Sequence, residues 1–341
     1  MEKRIAIIGG GLGGLAAARA LVRAGYDAHV LEAGPRAGGV IGTSTVDGYL
    51  REHAASSFLG SAPRGARALC EELGIAVDKA SPRAKRRWIF LDGKLRALPR
   101  SPIDLVRSDL LTWRGKLDLL REPLRAPRAH GDESIYAFAA RRFGAETARA
   151  IVAPFVTGIF AADAHEVSLE AGFPKLAELD AQGGIVRGTA TATAKQLFRR
   201  FAGGKVRKVP RGLYAPRGGL GGLVDALAAG LGPRVHANRR ASALAPDPTG
   251  RGVIVDGELW DGAVLAIPAQ DAVGLVAAIP ELASRLGGFR RAPTQLVYLG
   301  YPEAAITEAI AGGAEMIDGF GFLVAQGEAL RVLGVVFESV V

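Results

Sequence analysis

The sequence is constrained most by Ile5-Ala6-Ile7-Ile8 running straight into Gly9-Gly10-Gly11-Leu12-Gly13-Gly14. The apolar run reads as a strand covered on both faces, the habit of a parallel sheet. Leu15, Ala18 and Val22 then recur at helical spacing, and Gly25 stands where a helix ends. Asp27 to Leu31 reads as the next strand, closed by Glu32. A strand, a GxGxxG turn over Gly9, Gly11 and Gly14, a helix, a strand and a terminal carboxylate make a dinucleotide-binding βαβ unit. Gly9 permits the tight turn, Gly11 lets the backbone approach a pyrophosphate, and Gly14 lets the helix pack close to the strand. The helix N-terminus offers its N–H groups and the positive end of its dipole to phosphate. Glu32 is spaced to accept ribose hydroxyls.

At 341 residues, 49% hydrophobic and 23% charged, the chain is a folded protein of about two domains, which excludes disordered and collagen-like classes. Lys and Arg number 43 against 34 Asp and Glu, a net charge of +9. That balance suits an anionic partner: a polyanionic small molecule, a membrane surface or a nucleic acid. The single Cys70 excludes an internal disulfide and any multi-cysteine metal site, and fits a reducing compartment. Leu69 and Leu73 place it inside a short helix over 66–76, as a core filler. His29, His53, His130, His165 and His236 lack metal-ligand spacing, and no Ser-His-Asp or G-x-S-x-G constellation occurs. No metal site is expected. No apolar run reaches the ~20 residues of a membrane span. Lys3-Arg4 and Ala18-Arg19-Ala20 imitate a signal peptide, but the intervening glycines favour the strand–turn–helix, so a cytoplasmic location is expected.

Trp88 to Leu98 reads as a hairpin on Asp92-Gly93, preceded by the charge run Lys85-Arg86-Arg87. From Pro102 to about Arg200 the pattern is helical. Leu105, Leu110, Leu111, Leu117, Leu119 and Leu120 alternate with basic residues, which suits either an anionic membrane surface or a solvated basic face. Phe155 to Asp163 is apolar around Gly158 and reads as a tight core bend or a binding wall. The basic stretch Ala194–Arg217 reads as a linker; Phe198, Phe201 and Tyr214 are too few aromatics for nucleic-acid binding, which is not expected. Gly218-Gly219-Leu220-Gly221-Gly222 leads into a helix over Leu223–Leu231, Val235 is a strand signal, and a second hairpin turns on Asp256-Gly257. Ala263 to Pro268 is again a buried-strand run, as though the nucleotide domain resumes. Gly319–Val324 and Leu333–Phe337 read as strands.

Glu32-Ala33-Gly34-Pro35-Arg36-Ala37-Gly38-Gly39, together with the first glycine turn, resembles the FAD signature of the amine oxidase and protoporphyrinogen oxidase superfamily. Ala84–Trp88, the hairpin through Pro99, Thr157–Asp163, Arg217–Leu220 and Asp318–Val324 narrow the resemblance to the oxygen-using, FAD-dependent protoporphyrinogen oxidase family of haem biosynthesis. The resemblance implies an α/β fold: a Rossmann-like FAD-binding domain, an inserted helical membrane-binding subdomain and an antiparallel-sheet substrate domain. It places the first part of the FAD domain at 1–65, the substrate hairpin at 66–95, the helical subdomain at 96–204, the second FAD part at 205–270 and the substrate sheet at 271–341.

The resemblance also implies roles. Gly9, Gly11, Gly14, Glu32, Arg36, Gly38 and Gly39 match FAD contacts, and Ala241 falls where main-chain groups hold the adenine. Arg87 matches the arginine that meets a substrate propionate, Gly158 lines the tetrapyrrole pocket, and Leu323 and Val336 hold the pyrrole rings over the flavin. The implied chemistry is hydride transfer from a methylene bridge of protoporphyrinogen IX to flavin N5, with O2 reoxidising the flavin; no side chain is assigned a catalytic role. The implied setting is peripheral on a membrane surface, with a homodimer left open. A coproporphyrinogen III oxidase, another flavin amine oxidase or desaturase, and an inactive truncated tetrapyrrole-binding remnant are the alternatives. Two departures from the family pattern stand out. Ala54 replaces a glycine in Glu52-His53-Ala54-Ala55-Ser56-Ser57, and the chain stops at Glu338-Ser339-Val340-Val341, read as mid-strand, where relatives continue. The expectation is a C-terminally truncated member.

Overall fold

β1 (Arg4–Ile8), α1 (Leu12–Arg23) and β2 (Asp27–Leu31) form the βαβ unit expected from the opening residues. The computed structural model describes residues 2–62, 65–126, 131–189, 212–311 and 319–339. A hairpin of β3 (Thr43–Val46) and β4 (Tyr49–Glu52) follows, then β5 (Phe58–Leu59), α2 (Ala66–Glu72) and β6 (Val77–Lys79). The hairpin of β7 (Trp88–Leu91) and β8 (Lys94–Ala97) turns on Asp92 and Gly93 at φ 52° and 70°, the type I′ geometry that Asp-Gly favours. Next come α3 (Pro102–Arg107), α4 (Trp113–Leu120), α5 (Ile135–Phe143), α6 (Ala145–Thr147), α7 (Ala153–Phe160), α8 (Leu169–Gly172) and α9 (Pro174–Ala181). Then β9 (Leu213–Pro216), α10 (Gly221–Leu231), β10 (Val235–His236), β11 (Leu244–Pro246), β12 (Val253–Val255), β13 (Glu258–Trp260) and β14 (Gly262–Leu265) lead to α11 (Ala269–Leu275), α12 (Pro280–Gly287) and α13 (Glu303–Ala311). β15 (Gly321–Val324) and β16 (Gly334–Val336) close the described chain.

The chain divides into two units, the first containing the described residues up to Ala80, 212–291 and 295–308. Its central sheet runs β10-β2-β1-β14, every pairing parallel. On one face Ile7 and Val30 pack with Leu15 and Ala18 of α1 and with Leu223, Val224 and Leu227 of α10. On the other, Ala6, Ile8 and Leu31 pack with Val255, Trp260 and Leu275. Both faces of β1 are therefore covered, which explains its unbroken apolar sequence. Cys70 is fully buried in the first cluster, and burial pushes its thiol up, so it is a core residue and not a reactive one.

Three sequence expectations are corrected here. The unit boundary lies at Ala80/Ser81 and not at 65/66, because β6 pairs antiparallel with β9 across Val77↔Pro216. Residues 271–291 also belong to the first unit, where Leu275 and Val276 join the Trp260 cluster. The basic stretch taken as a linker contains a strand, β9, held between β5 and β6; its residues 194–211 lie outside those described, as do the boundary at 204/205 and His130.

The second unit holds the sheet β16-β15-β7-β8 and the helices between. Its outer pairings are antiparallel, but β15 joins β7 in parallel, so the sheet is mixed and not antiparallel as expected. A parallel pairing needs a long crossover, and the helical insertion lies within that crossover. Ile89 and Leu91 pack there against Leu110, Leu111 and Ala150. β16 ends at Val336 and Glu338-Ser339 turn, so the expected run of strand to the last residue is corrected for the described residues; Val340 and Val341 lie outside them. No helix among the described residues is long and apolar enough to cross a membrane.

The helices are tied by charge as well as by packing. Arg142 is fully buried, donates from Nε to Asp180 and from a terminal nitrogen to the Arg125 carbonyl (2.6 Å). Glu122, 1% exposed, accepts the Ile185 N–H at 2.8 Å and lies 3.6 Å from Arg142. Burial alone would raise the Asp180 carboxyl, but Arg141 and Arg142 hold it below the usual range. Removing one partner leaves a buried charge uncompensated. Arg142→Ala is expected to destabilise the second unit by about 3–5 kcal/mol in urea unfolding; a loss below about 1 kcal/mol would show that packing alone holds these helices.

Candidate functional site

The glycine turn between β1 and α1 is built by close backbone contacts. Gly9 has φ 107°, and a Cβ on it would lie 2.6 Å from the Ala266 carbonyl oxygen. A Cβ on Gly14 would lie 1.9 Å from the Gly9 carbonyl oxygen, so only glycine lets α1 start this close to β1. Gly11 differs: the nearest heavy atom to its added Cβ is the Gly39 Cα at 4.0 Å, and around Gly13 nothing lies within 4 Å. The turn is tight beneath and open above. Gly11 caps α1 without a side-chain hydrogen bond, and no acidic residue stands in the first turn. The helix end therefore keeps its positive dipole for an anion.

Gly38 and Gly39 form a second wall beside it. The Gly38 N–H donates to the Gly10 carbonyl at 2.7 Å, Gly38 bridges to Gly11, and a Cβ on Gly39 would sit 3.1 Å from the Gly11 Cα. Arg36 clamps this wall from outside, donating to the carbonyls of Ala37 (3.0 Å) and Ile41 (3.1 Å). Glu32 accepts the N–H groups of Gly10 (2.7 Å) and Gly34 (2.6 Å). A carboxylate has about four lone-pair sites, so acceptor capacity for hydroxyls is left.

The main chain past β10 closes the same corner. Glu32 N–H donates to the His236 carbonyl (2.9 Å), Asn238 N–H to that of Gly34 (2.8 Å) and Arg239 N–H to that of Glu32 (2.8 Å). Ala241 follows, packed beside the Ile8–Leu31 cluster. Beneath, His29 lies 3.0 Å from His236 and 3.0 Å from Asp27. Burial, His29 and Arg239 hold the His236 imidazole below its usual range. Spacing alone does not foretell this pair, because the two histidines are far apart in sequence. His53 lies outside the cradle's acceptors: its N–H donates to the Gly42 carbonyl (2.8 Å) and its Nε2 meets Ser44 Oγ (3.1 Å). Ala54 is not among the residues at positive φ, so its backbone makes no demand for glycine.

The second unit gathers three of the remaining expected residues. Leu323 faces Gly334 and Gly321 faces Val336, which puts Leu323 and Val336 diagonally on one face of the sheet. α7 packs Gly158 on that face so closely that a Cβ there would lie 2.5 Å from Leu323 Cδ2. The stretch read as a core bend or wall is thus a helix, ended by Ala161 in the left-handed conformation. Arg87 stands at the start of β7, exposed, with its guanidinium 5.2 Å from the Phe320 ring centre. Among the described residues Arg87 makes no ion pair, so its planar donors are available to a carboxylate. Phe320 was not singled out from the sequence; its place in the Gly319-Phe320-Gly321-Phe322 run was the signal. No group of metal-ligating side chains occurs among the described residues.

Residues 12–330 match the model of the flavin-containing amine oxidoreductases. The chloroplastic protoporphyrinogen oxidase of rice (Oryza sativa subsp. japonica) is 31% identical over 98% of this chain and 65% of its own length. The coproporphyrinogen III oxidase of Staphylococcus aureus is 30% identical over 67% of this chain and 51% of its own. The chain thus spans less than two thirds of the length of these relatives. In fold, it is similar to the crystal structure of a candidate protoporphyrinogen oxidase from an Exiguobacterium species, at TM-score 0.70 and 21% identity, covering 98% of this chain and 72% of that one.

Two substitutions separate packing from binding at the glycine turn. Gly14→Ala is expected to unfold the first unit, whereas Gly11→Ala keeps its melting temperature and weakens FAD by at least about tenfold, as read by flavin fluorescence titration. Equal FAD affinity for Gly11→Ala and the native chain would remove the turn from the site. The depressed His236 value gives a pH dependence. The fold favours the neutral ring, so that stability is complete above the usual imidazole value near 6.5 and is lost as pH falls through the lower folded value. Thermal melts of the first unit should weaken from pH 7 to pH 5, and less so in His236→Asn.

Proposed function

The chain belongs to the flavin-containing amine oxidoreductase family, and from that premise we propose that it carries the FAD- and substrate-binding parts of an oxygen-using protoporphyrinogen oxidase. The observation that carries this reading is an exposed guanidinium stacked on an aromatic ring: Arg87, held over Phe320, in the unit where Gly158, Leu323 and Val336 converge. An apolar macrocycle with propionate arms has that combination of surfaces. A neutral carotenoid or a cationic amine has no use for the arginine. The names of the relatives support the same substrate class.

The residues of the glycine cradle fit FAD, because the space over Gly11 and Gly13 is open and the helix end is uncapped. Gly9, Gly11 and Gly14 with the α1 N-terminus would hold the pyrophosphate, Glu32 the ribose, and main-chain groups at Ala241 the adenine. Arg36, Gly38 and Gly39 keep the second wall in place. When bound, FAD supplies the electron-pair acceptor that the side chains lack. Arg87 pairs with one propionate and sets the orientation of the ring. Gly158 lets α7 seat closely against Leu323, and Leu323 and Val336 would exclude water from the macrocycle. No described residue is assigned a proton-transfer role. Electrons leave finally to O2.

The reading includes a location at the cytoplasmic surface of a membrane. α4 exposes Trp113, Leu117 and Leu120 along one side, α3 adds Ile103 and Val106, and Arg107, Arg114 and Arg121 stand exposed on the same two helices and at the end of α4. Basic residues around an apolar stripe suit an anionic lipid surface.

Porphyrin fluorescence tests the reaction directly. The FAD-loaded chain should convert protoporphyrinogen IX faster than coproporphyrinogen III and form hydrogen peroxide. Arg87→Ala should raise KM about tenfold or more with kcat within about threefold, the size of a lost charged hydrogen bond; an unchanged KM contradicts the propionate role. Trp113→Asp should lower co-sedimentation with phosphatidylserine vesicles without affecting FAD binding, and undiminished sedimentation would dismiss the stripe.

A further inference from the structure

We propose that Glu52 is a positioning residue for the second glycine wall of the cradle, acting through Thr43 and the N-terminus of α10. The proposal rests on the flavin reading above. Glu52 ends β4 and is 5% exposed. Among the described residues no cation pairs with it. Its partners are the Leu220 N–H, 2.7 Å from Oε1, and the Thr43 hydroxyl, 2.8 Å from Oε2. Thr43 Oγ1 in turn accepts the Gly221 N–H at 2.8 Å. The α10 N-cap, Leu220, has no side-chain hydrogen bond of its own. Glu52 and Thr43 therefore cap α10 from a different part of the chain, and the helix dipole takes the place of a counter-ion.

The glycines that precede α10 are what admit this carboxylate. Gly219 has φ 98°, and a Cβ on it would lie 2.4 Å from Thr43 Oγ1 and 2.7 Å from Glu52 Oε1. A Cβ on Gly221 would lie 2.8 Å from the Thr43 nitrogen. The glycine-rich run before α10 is thus a seat for Glu52 and Thr43.

Thr43 lies four residues after Gly39 on the strand that leaves the second wall. From the other side, Val224 of α10 reaches the wall itself: its Cγ2 is 3.1 Å from a Cβ placed on Gly38. The wall is held at its exit by Thr43 and from below by Val224, and Glu52 binds both holders together. The Tyr298 hydroxyl fixes Glu52 further by donating to its carbonyl at 2.5 Å.

Glu52→Gln keeps the shape, an acceptor for Leu220 and a donor for Thr43. Glu52→Ala removes both contacts, and Thr43→Val removes the hydroxyl between Glu52 and Gly221. Leu275→Ala, in the opposite core cluster, is the control for general destabilisation. The measurements are FAD dissociation constants by fluorescence titration and amide exchange at Gly38, Leu220 and Gly221. Glu52→Gln should retain FAD affinity within about threefold, while Glu52→Ala and Thr43→Val should lose about tenfold or more and exchange all three amides faster. Leu275→Ala, at equal loss of melting temperature, should do neither. The proposal is overturned if Glu52→Ala binds FAD like the native chain, if Glu52→Gln loses as much as Glu52→Ala, or if Leu275→Ala reproduces the loss. Failure of the native chain to bind FAD would sink the flavin reading instead, and unchanged exchange at Gly38 in Glu52→Ala would then still overturn the coupling.

Discussion

The first unit depends on one contact, the seating of the α1 backbone at Gly14 on the carbonyl of Gly9, where a single added carbon would sit 1.9 Å away. Any other residue pushes the helix off the strand. With it seated, α1 points its uncapped end at the space above Gly11, and its flank meets α10 across Leu15, Ala18 and Leu223. The parallel sheet, the second glycine wall and the corner at Glu32 are arranged around that geometry. Polar groups there are satisfied by the main chain: Glu32 takes two N–H groups, and Gly38 bonds Gly10. The open space is thus bounded by fixed dipoles, which need little reorganisation to receive a phosphate.

The second unit solves a different problem. It combines an apolar sheet face, made diagonal by the Leu323–Val336 register and packed closely by α7 at Gly158, with an arginine that an aromatic ring holds in place. The ring restrains a long side chain without consuming its hydrogen-bond donors. Elsewhere in the unit arginines are consumed: Arg141 and Arg142 converge on Asp180, and Arg125 on Asp118. Arg87 differs from these in having its guanidinium over the Phe320 ring and no carboxylate beside it among the described residues.

Local signals in the sequence foretold local structure well. The βαβ unit, the Asp-Gly turns at Asp92 and Asp256 with both residues at positive φ, and α10 lie where periodicity and turn chemistry place them. Pairings between distant segments were not legible. Nothing in Gly321–Val324 announces a parallel partner in β7, and the short strand β9 lies inside a basic stretch that reads as linker. The burial of Arg142 is not legible either, because its partner Asp180 is distant in sequence. The role of Glu52 is hidden in the sequence for the same reason: it is set by Thr43 and Leu220, and only the fold brings them together. The glycine cradle was visible because all its parts lie in one short segment.

The function proposed for this chain requires that the cradle hold FAD. The most direct measurement is the visible absorption spectrum of the purified chain after incubation with FAD and gel filtration. The expected result is a two-band flavin spectrum that travels with the protein at near one flavin per chain. A folded chain, by circular dichroism, that elutes colourless from excess FAD would contradict it.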